Sequence, residues 1–66
     1  MNYYVTVIDA GRHGFLLGPY DTHEQALEQV QTGKERAMAA NTWAHFYAYG
    51  TARVPKEKTV KTVFGK

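Results

Sequence analysis

The sequence predicts a small α+β domain of ββαβ order, and three features carry that expectation. Two apolar runs, residues 2–9 and 15–18, are separated by the glycine-flanked segment GRHG. Helix-capping signals at residues 21–25 then open a stretch with apolar residues at three- and four-residue spacing. Residues 44–54, AHFYAYGTARV, close the order with period-two alternation.

The first run, YYVTVIDA, is rich in aromatic and β-branched residues. Both of its faces, Tyr3/Val5/Val7 and Tyr4/Thr6/Ile8, are substantially apolar, which suits a central strand. Gly11 and Gly14 bracket Arg12 and His13, so the two runs read as a hairpin closed near Gly11 to Gly14, with Gly18-Pro19 ending the second strand. Asp21-x-x-Glu24 and Thr22-x-x-Gln25 are overlapping capping boxes, either of which can satisfy the exposed N–H groups of a helix start. Ala26, Leu27, Val30, Lys34, Ala37, Met38 and Asn41 form its apolar stripe, opposite Glu24, Glu28, Gln31 and Glu35. Gly33 costs that helix about 1 kcal/mol relative to Ala. ANTW, residues 40–43, is the expected exit, with Trp43 plugging the end of the core.

A right-handed crossover from the second strand through the helix sets the third strand beside the first and antiparallel to it. The predicted sheet is three-stranded and antiparallel, in order 2-1-3, with one helix on one face. The domain is expected to span residues 1–54. Residues 55–66 form a basic C-terminal tail, read as mobile, as a short fourth strand, or as a segment that orders on binding.

With 66 residues, the chain makes one domain at most and buries only about 60% of the surface its unfolded form exposes. It contains no cysteine, so disulfides cannot supplement its core and the commonest zinc chemistry is weakened. Self-association as a homodimer therefore gains weight, alongside a tail that folds back with Val63 and Phe64. The net charge of +2 is unevenly distributed: residues 1–52 sum to −2 and residues 53–66 to +4. Such a basic end suits nucleic acid, an acidic protein, or simple solubility. No secretory signal is visible and no apolar run approaches the roughly 20 residues of a membrane span, so a cytoplasmic location is expected.

One helix covers one face, with Val5, Val7, Phe15, Leu17, Leu27, Val30, Met38, Phe46 and Ala48 as the expected core. The other face then collects Tyr4, Thr6, Ile8, Leu16, His45, Tyr47, Tyr49 and Arg53, a patch too apolar to stand alone in water. Tyr4, His45, Tyr47, Tyr49 and Arg53 are the candidate protein-contact residues, tyrosine and arginine being the side chains that most often dominate binding energy. The alternative is a nucleic-acid platform, with bases stacked on Tyr47, Tyr49 or Tyr4 and phosphates held by Arg12, Arg53, Lys56, Lys58 and Lys61.

The chain has neither serine nor cysteine, which removes the ordinary Ser-His and Cys-His nucleophile systems. Asp9, Arg12 and His13 cluster in a turn, where polar residues need no catalytic explanation. His13, His23 and His45 sit on separate elements without ligand spacing, so no metal or cofactor is expected. GRHG matches the G-x-x-G loop of KH modules, but here it joins two strands rather than two helices.

GFLLGPYDTHEQAL followed by AHFYAYGTARV resembles a group of short proteins of unassigned activity encoded on proteobacterial phages, plasmids and integrated elements. The resemblance covers roughly residues 3–54. Its GPYDTHEQAL part also resembles SPOR domains, but the second helix and further strands of that fold are missing. Membership of the mobile-element group implies an accessory role, as a stoichiometric inhibitor of a host or defence complex (anti-CRISPR proteins among them) or as a small nucleic-acid-binding regulator. It carries no functional residues over to these positions. The combined expectation is a non-enzymatic protein-interaction module.

Overall fold

A computed structural model describes residues 1–58 and 60–65, without the side chains of His45 and Phe46. Strand β1 (Asn2–Asp9) turns tightly through Ala10 and Gly11 into β2 (Arg12–Tyr20). Both turn residues have positive φ, which matches the right-handed twist of the flanking strands. The hairpin therefore closes ahead of Arg12, earlier than the glycine spacing suggested. β2 also continues through Gly18-Pro19 to Tyr20 instead of ending there. Helices α1 (His23–Glu28) and α2 (Val30–Ala40), a 3-10 helix (Thr42–Phe46) and β3 (Ala48–Val54) complete the order. The sheet is antiparallel in order β2-β1-β3, as the crossover argument required.

The single expected helix is two. Thr22 caps α1 through its Oγ1, which accepts from the Gln25 N–H at 3.2 Å, while Gln25 Oε1 accepts from the backbone N–H of Asp21 and Thr22. Of the two candidate boxes the Thr22/Gln25 pair is the one formed. A tight bond from Gln29 N–H to the Ala26 carbonyl closes α1, and the Gln29 carbonyl then accepts from Gly33 to start α2. Ala26, Gly33 and Ala37 are the helical residues buried on the sheet. Small residues occupy that stripe because the approach is close: a Cβ on Gly33 would lie 3.0 Å from Val5 Cγ1. Leu27, expected in the core, is 51% exposed on the flank.

Val5 and Leu17 are the largest fully buried side chains, and burying each contributes about 1.5–3 kcal/mol. Leu16 joins them although it neighbours Leu17 in sequence. The register explains this: Val5 pairs with Leu17 but Thr6 with Phe15, so Leu16 is a bulged residue and both leucines reach the helix side. Leu16 thus leaves the open face on which alternation had placed it.

β3 is shorter than expected and its faces are exchanged. Residues 42–46 coil as a 3-10 helix, and the strand begins only at Ala48. Pairing sets Tyr3 opposite Arg53, Val5 opposite Thr51 and Val7 opposite Tyr49, so the polar and aromatic set of β3 shares the helix side with Val5. Ala48, Gly50 and Ala52 lie with Tyr4, Thr6 and Ile8 on the opposite side, and Ala48 is exposed rather than core.

The C-terminal segment returns to the far edge of the sheet. The chain leaves β3 at one edge of the sheet, yet by residue 63 it is bonded to β2 at the other. Val63 and Phe64 N–H donate to the Phe15 and Leu16 carbonyls at 2.9 Å, and Gly18 N–H donates to the Gly65 carbonyl at 2.9 Å. The helices occupy the Val5 side, while Tyr4 and Val54 on the other side are buried, Tyr4 to 2% exposure. Tyr4 lies against Gly18 and packs edge-on against Phe15 with ring centroids 5.3 Å apart. Phe64 packs against the core. Truncation after Lys58 removes the Phe64 packing and three backbone hydrogen bonds, and should cost about 2–4 kcal/mol. A urea midpoint unchanged by the truncation would contradict this role.

Candidate interaction site

Asn41 organises the approach to β3. Its N–H bonds the Ala37 carbonyl to end α2, its Oδ1 accepts from Trp43 N–H at 3.0 Å, and its Nδ2 donates to the Tyr47 hydroxyl at 3.3 Å. The resulting 3-10 turn buries Ala44, whose carbonyl accepts from both Tyr47 N–H at 3.1 Å and the Tyr49 hydroxyl at 2.7 Å. Lys34 Nζ lies 6.0 Å from the centre of the Tyr49 ring. Trp43 was expected to plug the core and is instead 69% exposed at the surface of this turn.

At the other end of β3, Tyr3 and Arg53 face each other across the β1–β3 ladder, and His23 at the start of α1 closes over them. His23 and Tyr3 rings lie 5.9 Å apart at 36°, and His23 Nε2 hydrogen-bonds Thr51 Oγ1 at 3.0 Å. Tyr3, His23, Thr51, Ala52 and Arg53 line an open cleft of about 310 Å³. Its lining offers a guanidinium, an imidazole and two hydroxyls, and no carboxylate. That set can hydrogen-bond and charge-pair an acidic group of a partner.

The sequence-derived contact residues do not share one surface. Tyr4 is buried beneath the sheet, Tyr47 and Tyr49 are half-buried with hydroxyls engaged on the helix side, and among the four described side chains Arg53 alone lines the cleft. The His45 side chain lies outside the described residues. The nucleic-acid set is dispersed as well: Arg12 pairs with Asp9 at the hairpin end, six β1 residues or about 20 Å from the Tyr3–Arg53 end. Lys56, Lys58 and Lys61 are exposed along the returning segment. Tyr3, His23 and Thr51 were missed because their convergence follows from register, which residue spacing does not encode.

Among the described residues no cluster of His, Cys, Asp and Glu could hold a metal ion, and no helix is long and apolar enough to cross a membrane. In comparisons with family models, curated proteins and solved structures, the chain matched none.

Burial raises the Tyr49 phenol above its ordinary 10.0, with the neighbouring Tyr47 adding to the effect, and burial likewise raises Tyr20, opposed by Arg36. A raised value in the folded state means the native protein holds the proton more tightly. The associated stability is full below about pH 10 and is lost as pH rises through the raised values. Tyr49→Phe should therefore cost about 0.5–1.5 kcal/mol near neutral pH from the lost Ala44 bond, and should show a smaller further loss above pH 10 in paired urea titrations.

Proposed function

We propose that this protein is a non-enzymatic, cytoplasmic protein-interaction module whose contact surface is the Tyr3–His23–Thr51–Arg53 cleft. The observation that carries the reading is the cleft itself: aromatic, imidazole and guanidinium groups converge on an open surface with no acidic lining and with Lys56 and Lys58 exposed beyond the end of β3. Arginine and tyrosine at a partly buried site are the residues most able to anchor a partner. The complementary partner surface is acidic.

The resemblance to phage and plasmid proteins supplies the class of partner, a host or defence complex that the protein inhibits by stoichiometric binding. A homodimer belongs to the same proposal, because so short a chain has little core of its own. Nucleic-acid binding is the second reading, favoured by the exposed Arg53, Lys56, Lys58 and Lys61. It is weakened by the tyrosines: Tyr4 is buried, and Tyr49 is half-buried with Lys34 Nζ 6.0 Å over its ring, which leaves neither an open face for stacking.

Arg53→Glu reverses the charge of an exposed side chain and should leave the circular dichroism spectrum and melting temperature intact. It should reduce capture of the host partner at least tenfold, and undiminished capture by the folded variant would refute the cleft as the contact surface. Oligonucleotide anisotropy at low and near-physiological salt tests the second reading. Binding that weakens steeply with salt would favour it.

A further inference from the structure

The two edges of the sheet are treated differently. The outer edge of β2 is occupied by residues 63–65, and its register is interrupted by bulges. The outer edge of β3 carries no strand among the described residues, and its seven residues pair with β1 in unbroken register. Proteins ordinarily blunt such an edge with lysine, proline, a bulge or a covering segment. Between Ala48 and Val54 β3 has no lysine, proline or bulge, and Arg53 is its only charge.

We infer that the occupant of this edge is a second copy of the same chain, paired β3 to β3 antiparallel about a two-fold axis at Thr51. This deepens the self-association proposed above and rests on it. Thr51 is the midpoint of the seven-residue strand, so this register alone uses its full length. It sets Ala48 opposite Val54, Tyr49 opposite Arg53, Gly50 opposite Ala52 and Thr51 opposite itself.

No like charges meet in this register. The guanidinium of each Arg53 faces the Tyr49 of the other copy, an aromatic–cation pair, while two threonine hydroxyls meet on the axis. Small or aliphatic residues meet on the opposite side, where a Cβ on Gly50 would have only Thr6 Oγ1 near it, at 3.9 Å. Shifting the axis to Ala52 would pair Pro55 with Tyr49 and place a residue without an N–H in the ladder. The dimer is a continuous six-stranded sheet with both clefts on one side, a bivalent surface for an acidic partner.

Because the chain has no cysteine, one introduced thiol reports the register directly. Directly opposed residues have Cα atoms about 4.5 or 5.5 Å apart, within disulfide reach. Thr51→Cys should form a covalent dimer under mild oxidation, and an equimolar mixture of Gly50→Cys and Ala52→Cys should cross-link to each other far more than Gly50→Cys does to itself. The mixture keeps the test valid if the Thr51 variant is unstable. Unmodified protein in sedimentation equilibrium should approach the mass of two chains as concentration rises. A two-chain mass without these cross-links would overturn the β3 register while leaving self-association standing; a one-chain mass at every concentration would overturn both.

Discussion

The close approach of α2 to β1 at Gly33 and Val5 governs the arrangement of everything else. With a would-be Cβ only 3.0 Å from Val5 Cγ1, the helix can sit this low only if its contact stripe is made of small residues, and Ala26, Gly33 and Ala37 provide it. The stripe rests over β1 and β2, on Val5, Leu16 and Leu17. The outer strand β3 is left under the flank of the helical layer, where longer polar groups bridge the gap: Tyr49 reaches the Ala44 carbonyl and Thr51 reaches His23. The cleft forms where that bridging ends, between His23 and Arg53.

A chain of 66 residues can cover only part of a three-stranded sheet with helices. Its own C-terminal segment closes the β2 edge with residues 63–65 and lays Phe64 against the core. One face and one edge are thereby occupied. What remains for recognition is the β3 edge and the cleft beside it, with the basic residues of the returning segment nearby. Function in so small a protein follows from what its fold leaves uncovered.

The strand order was legible because chain connectivity and the doubly apolar β1 both point to 2-1-3. The Thr22/Gln25 cap was legible because its chemistry is local. The phase of β3 was not: alternation separates two faces without saying which one meets the helices, and small Ala48, Gly50 and Ala52 looked more core-like than Tyr49 and Arg53. The low seat of the helix reverses that choice. Gly33, read as a weak point of the helix, is the residue that permits the contact. The bulge at Leu16 and the pairing of Tyr3 with Arg53 depend on register, which no residue pattern in this chain specifies.

Amide hydrogen exchange, followed residue by residue across a dilution series, tests this division of surfaces most directly. The amides of Val63, Phe64 and Gly18 should be protected at every concentration, because they belong to the covered edge. The outward amides of β3 should exchange rapidly when dilute and become protected as concentration rises. Rapid exchange at Val63 and Phe64, or protection of every β3 amide at the lowest concentration, would contradict the assignment of covered and uncovered edges.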